Sequence, residues 1–164
     1  MISRRLRRVV PIFAVSLFAF VLIPFTLTRA QNSTDPWKVG DTILPNDFVK
    51  ELSDGKSAPT VLFVGFQRLY TAGHIEGAQY HGSAGSGEGL SEIKTWAGPI
   101  PRSTNLVLYC GCCPMGRCPN IRPAFTALHE MGFTRVRVLI LETSFAVDWA
   151  EKRLPYEKGQ WSPR

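Results

Sequence analysis

Residues 105–119 read NLVLYCGCCPMGRCP, and residues 120–141 continue NIRPAFTALHEMGFTRVRVLIL. Asn105 to Cys110 is a run with apolar residues on both alternating faces, the pattern of a strand buried inside a parallel sheet. From Ile121 the period changes. Phe125, Leu128 and Met131 recur at helical spacing, Pro123 suits a first turn, and Gly132 closes the helix. Arg135 to Leu141, RVRVLIL, returns to a strand pattern. Between the first strand and the helix lie all four cysteines of the chain, Cys110, Cys112, Cys113 and Cys118.

The same alternation extends in both directions. DTIL (Asp41 to Leu44) is a short strand candidate. Asn46 is a candidate N-cap for a helix carrying Phe48, Val49 and Leu52, ended by Asp54-Gly55. TVLFVGF (Thr60 to Phe66) is another strand apolar on both faces, and AQY (Ala78 to Tyr80) a short one. Gly82 to Gly89 is a Gly/Ser-rich loop. LSEIKTWA then turns Ile93, Trp96 and Ala97 to one side of a helix, and SFAVDWAEKR is a last helix. Strands alternating with helices of this length imply an α/β, doubly wound, mostly parallel sheet. Ligands in such sheets bind beyond the carboxyl ends of the strands. Cys110 ends a strand there, so the loop after it is the first candidate for an active site.

The chain of 164 residues suits one ordinary domain. Its formal charge of +6 belongs to one end. Arg4, Arg5, Arg7, Arg8 and Arg29 precede residue 30 and no acidic residue does, which leaves 14 basic against 13 acidic residues beyond it. The body therefore carries no nucleic-acid footprint. MISRRLRR followed by the uncharged apolar run 9–27 and then TRA has the layout of a secretory signal over residues 1–30, with a membrane anchor over 9–27 as the alternative. Pro11 and Pro24 interrupt the run and favour the cleaved form. Ser3-Arg4-Arg5 is a weak match to a twin-arginine signal. Either form puts the domain outside the cytosol, periplasmic or secreted, with a membrane link only through this segment. Residues 31–40 read as a polar linker containing the Asn32-Ser33-Thr34 sequon, residues 41–159 as the domain, and 160–164 as a tail.

YTAGHIEGAQY (Tyr70 to Tyr80) resembles the Y-x-x-G-H-I-P-G-A segment of rhodanese-like domains. LVLYC with its loop and helix resembles their active-site strand and loop. LHEMGFTRVRVL resembles the helix and strand that follow, and LETSFAVDWAEKRLPYEKG (Leu141 to Gly159) resembles their C-terminal L-x-G-G-F-x-x-W-x-x-x-G-L-P-V ending. The resemblance implies a five-stranded rhodanese fold and sulfurtransferase chemistry without a cofactor. A loop cysteine takes a sulfane sulfur from a thiosulfate-like anion, becomes a persulfide, and passes the sulfur to a thiol acceptor. Phe63 and Gly65 stand where the family has the Asp and Arg of D-V-R, Thr143-Ser144 replaces a glycine pair, and the cysteine loop is about five residues longer than the family's short form.

Within the loop, the strand end points to Cys110 as the nucleophile. The family's spacing from cysteine to arginine makes Cys112 the second choice, with Arg117 five positions on. Gly111, Cys113, Met115, Gly116, Arg117, Cys118 and Arg122 are the candidate loop and substrate-binding residues. Arg117 and Arg122 are candidates to steer an anionic donor. A phosphatase reading needs arginine six positions after cysteine, where Gly116, Cys118, Pro119 and Ala124 stand instead. Cys110/Cys113 forms a C-x-x-C pair, so a thiol–disulfide oxidoreductase is the alternative enzyme. A non-catalytic module is the other alternative, in which any metal would rest on Cys110, Cys112, Cys113 and Cys118. His74 reads as a hydrogen-bonded turn residue, His129 as solvent-facing, Trp96 and Trp149 as core, and Trp37 and Trp161 as covers for the domain's edges.

Overall fold

A computed structural model describes residues 35–55 and 58–159. The expected signal or anchor, the sequon, Trp161 and the tail lie outside the described residues. Among those described, no helix is long and apolar enough to cross a membrane.

The elements follow in the order β1 (Thr42–Ile43), α1 (Pro45–Ser53), β2 (Thr60–Phe63), α2 (Gln67–Ala72), β3 (His74–Ile75), β4 (Gln79–Tyr80), α3 (Gly87–Ala97), β5 (Leu106–Tyr109), α4 (Ile121–Glu130), β6 (Val136–Leu139) and β7 (Tyr156–Glu157). Five strands form one sheet in the order β1-β6-β5-β2-β4, every pair parallel. The apolar run containing β5 therefore lies at the centre, as its lack of a polar face requires.

Side chains alternate across the sheet and divide the core into two layers. Leu106, Leu108 and Cys110 pack with Leu62 and Val64 against Ile93 and Ala97 of α3 and Ile121, Phe125 and Leu128 of α4. Val107 and Tyr109 pack with Val61 and Phe63 against Phe48 of α1 and Trp149. The alternation thus assigns the Cys110 side chain to the layer beneath α4. That helix ends in a Schellman motif. Gly132, at φ +89, donates its N–H to the His129 carbonyl, and Phe133 donates to the Leu128 carbonyl.

Local departures from the sequence reading have local causes. The first helix starts at Pro45, with Leu44 rather than Asn46 in the capping position, because proline supplies the fixed φ of a first turn. The strand expected over Thr60–Phe66 stops at Phe63. Helix α3 begins inside the Gly/Ser stretch, at Gly87, because the Ser86 hydroxyl accepts the Gly89 N–H at 3.1 Å. The last helix shortens to one wide turn, Ala146–Ala150, closed by a Glu151 N–H bond to the Ala146 carbonyl five residues back. Helix α2 and the antiparallel β3–β7 ribbon carry no periodic signal and were not expected. His74 belongs to that ribbon rather than to a turn. It is buried, with Nδ1 2.8 Å from the Tyr70 carbonyl and Nε2 3.3 Å from the Glu157 carboxylate. His129 is exposed and Trp149 fully buried, as their spacing predicts, whereas Trp96, expected in the core, is half-buried against its edge.

Candidate functional site

The cysteine loop leaves the carboxyl end of β5 and reaches α4 through a short 3-10 turn, Met115–Arg117. Its first residue after Cys110 is Gly111, at φ +67. A Cβ at that position would lie 2.7 Å from Phe145 Cβ, so only glycine fits. The Gly111 carbonyl accepts the Phe145 N–H at 3.0 Å, and the Met115 N–H donates to the Glu142 carbonyl at 3.3 Å. The loop is thereby tied to the segment after β6.

Three of the four sulfurs converge. Those of Cys110, Cys112 and Cys118 all lie within 4.8 Å of one another. Cys112 and Cys118 are 4.0 Å apart, and Cys113 stands outside this group with its sulfur 3.1 Å from that of Cys112. Cys110 and Cys118 are buried, at 1% and 4% exposure, whereas Cys112 and Cys113 are half-buried. The C-x-x-C partners Cys110 and Cys113 are thus not brought together, while Cys112 is near both Cys113 and Cys118.

Two residues absent from the sequence-based site complete it. Asn120 is wholly buried. Its Oδ1 accepts the Gly85 N–H at 2.8 Å and the Ser83 hydroxyl at 3.0 Å. A backbone N–H can only donate, so the amide orientation is fixed and Nδ2 faces the sulfurs. It lies 3.4 Å from Cys110 Sγ and 3.7 Å from Cys112 Sγ. The only sequence signal for Asn120 is its place just before a helix, which reads as a cap, yet its side chain makes no cap bond. The second residue is Gly65. A Cβ there would meet Cys110 Sγ at 3.0 Å and the Phe63 ring at 2.6 Å, so the close approach of β2 to the thiol requires glycine.

The cluster favours one negative charge. The Cys118 thiol is lowered to about 5 by a hydrogen bond from Cys110 and by the backbone N–H groups of Asn120 and Ile121 at the start of α4. Cys110 is pushed up because it donates to Cys118 and because it is buried. Burial, and then Cys112, push Cys113 up to about 12. The cluster therefore favours a thiolate at Cys118, with the Cys110 sulfur within 4.8 Å of it.

The two candidate arginines differ. Arg117 is exposed on the 3-10 turn. Arg122 is occupied: Nε and Nη2 bond Asp35 at 2.8 and 2.5 Å, and Nη1 donates to the Met115 and Cys118 carbonyls, each at 3.3 Å. It braces the loop from behind and stacks 5.5 Å from the Trp37 ring centre. Met115 is half-buried against the core beneath the loop, and Gly116 is exposed beside Arg117.

No family model matches the chain, and no curated protein matches it. Solved structures do. The rhodanese-like domain of an Anabaena sp. protein is 21% identical over 72% of this chain and 79% of its own, with a TM-score of 0.53. A Bacillus halodurans protein is 19% identical over 71% and 76%, at 0.56. A thiosulfate sulfurtransferase from Pseudomonas aeruginosa is 25% identical over 73% of this chain but only 20% of its own, at 0.55. The parallel five-stranded sheet agrees with these likenesses, and the chain has the rhodanese-like fold.

Proposed function

We propose that this domain is a sulfurtransferase that carries a sulfane sulfur on Cys110. One observation supports this reading most: Cys110 ends the central parallel strand with its sulfur within 4.8 Å of that of Cys118, the acidic thiol of the cluster, which as a thiolate can take the Cys110 proton. The Cys110 sulfur attacks the outer sulfur of a thiosulfate-like anion. The bond between the two donor sulfurs breaks, sulfite leaves with the electron pair, and the Cys110 proton passes to Cys118. The product is a Cys110 persulfide anion, which the Asn120 amide is placed to stabilise. A thiolate acceptor then attacks the outer sulfur and releases Cys110 as its anion. Because Cys110 is buried, donor entry requires the stretch 111–117 to open. Arg117, exposed on that stretch, is suited to meet the anion. The leader-like first thirty residues support a setting outside the cytosol.

Intact mass with and without thiosulfate tests the reading, alongside thiosulfate:cyanide turnover. Wild type should gain one sulfur and turn over. Cys110→Ser should do neither while keeping the wild-type melting curve, and full turnover in that variant would refute the assignment. A second reading, thiol–disulfide exchange, is favoured by the 4.0 Å approach of Cys112 and Cys118, not by Cys110/Cys113. Its mark is a mass loss of two hydrogens on mild oxidation, mapped to Cys112 and Cys118.

A further inference from the structure

The proposed sulfur transfer needs one nucleophile and one proton acceptor. It leaves unexplained why a third sulfur, Cys112, completes a triangle with them. The three sulfurs lie within 4.8 Å of one another, and the Cys112–Cys118 edge is 4.0 Å. A metal ion bonded to three thiolates at about 2.3 Å in a plane spaces them about 4.0 Å apart. The triangle therefore already has the dimensions of a trigonal site, and closing it takes movements of less than an ångström.

The chemistry of the donors narrows the ion. All three are sulfur, and among the described residues no carboxylate or imidazole joins the group. This excludes hard cations such as magnesium and calcium, which bind oxygen. Two of the sulfurs are almost wholly buried, so a water shell has no room. Zinc in a protein site takes four ligands, and the only other nearby thiol, Cys113, lies outside the group. Three soft donors in a dry pocket suit copper(I).

The surroundings match an anionic sulfur centre. Asn120, locked by Gly85 and Ser83, directs its amide N–H groups at two of the three sulfurs. Outer partners of this kind orient and stabilise metal-bound ligands. Met115–Arg117 and the brace from Arg122 hold the loop that carries Cys112 and Cys118.

We propose that Cys110, Cys112 and Cys118 form a three-thiolate site for a single copper(I) ion. Binding displaces thiol protons and moves no electrons, since the metal enters and stays as copper(I). The ion uses Cys110, so the copper-loaded protein cannot form a persulfide.

The full chain, reduced and metal-free under anaerobic conditions, is titrated with copper(I) against a chromogenic copper(I) chelator. X-ray absorption then gives the ligands. One copper per chain with three sulfur neighbours is expected. Cys113→Ser should keep that stoichiometry. Cys112→Ser should lose the site, and Asn120→Ala should weaken it by about 10- to 100-fold, the usual effect of removing an outer partner. A two-sulfur ion, a stoichiometry that depends on Cys113, or preferential uptake of zinc with four sulfurs would each overturn the proposal. The assay involves no sulfur donor, so its failure leaves the sulfurtransferase reading standing. Conversely, a chain without turnover can still hold copper.

Discussion

Gly65 and Asn120 set the Cys110 environment from opposite directions, one by absence and one by a fixed amide. Gly65→Ala would drive a methyl into Cys110 Sγ and the Phe63 ring. It should cost about 1–3 kcal/mol in urea unfolding, as overpacking does, and lower turnover as well. Asn120→Ala removes the acceptor shared by the part-buried Gly85 N–H and the Ser83 hydroxyl, and each such hydrogen bond lost costs about 0.5–1.5 kcal/mol by the same measurement. Cys118 governs pH dependence. Its thiol is held near 5, against an ordinary value of 9.0, so the anion of the cluster persists until the pH falls through about 5. Thiolate absorbance of the metal-free protein should follow that midpoint, and Cys118→Ser should move it upward. From the sequence, the strand end pointed to Cys110, but it could not rank the thiols by charge. That ranking depends on the N–H groups at the start of α4 and on a hydrogen bond between residues eight apart, neither of which has a sequence period.

Elements were legible where they are buried on one face or both. The runs containing β2, β5 and β6 and the face of α4 announced themselves because each must be covered. The β3–β7 ribbon did not, because two-residue strands have too few positions to alternate. What holds it is specific: Glu157 accepts the Gly77 N–H at 3.0 Å and sits 3.3 Å from His74 Nε2. Between α1 and β6, Glu51 and Arg137 form a paired contact at 2.8 and 2.6 Å. That bond from Arg137 holds the Glu51 carboxyl below its usual value of 4.5. A lowered acid stabilises the fold above its unfolded-state value, and that contribution disappears as the pH falls through the folded one. Thermal unfolding should therefore show an acid-side loss of stability below about pH 4.5 that is reduced in Arg137→Met. The partly exposed carboxylate keeps this effect small.

At the scale of the molecule, the two-layered core and the place of β5 inside the sheet followed from two doubly apolar strands and a third that alternates with arginine. The closure of one layer did so only in part. Trp37, from the stretch expected as linker, is 6% exposed and meets the Phe125 ring edge-on at 5.6 Å between centres. Trp37 reads from the sequence as an edge cover, but a polar stretch with one tryptophan carries no period to show which layer it closes. Trp37→Ala should lower unfolding free energy by about 3–5 kcal/mol, the range for emptying a large aromatic site. An exposed tryptophan would cost almost nothing.

The Arg122 brace has a mechanical consequence. One guanidinium grips Asp35 with two nitrogens and the carbonyls of Met115 and Cys118 with the third. Tension on the chain ahead of Asp35 is therefore transmitted through that planar group to the backbone carrying the sulfurs. The cysteine loop and the Asp35 stretch are in this sense a single lever, with Arg122 as its pivot.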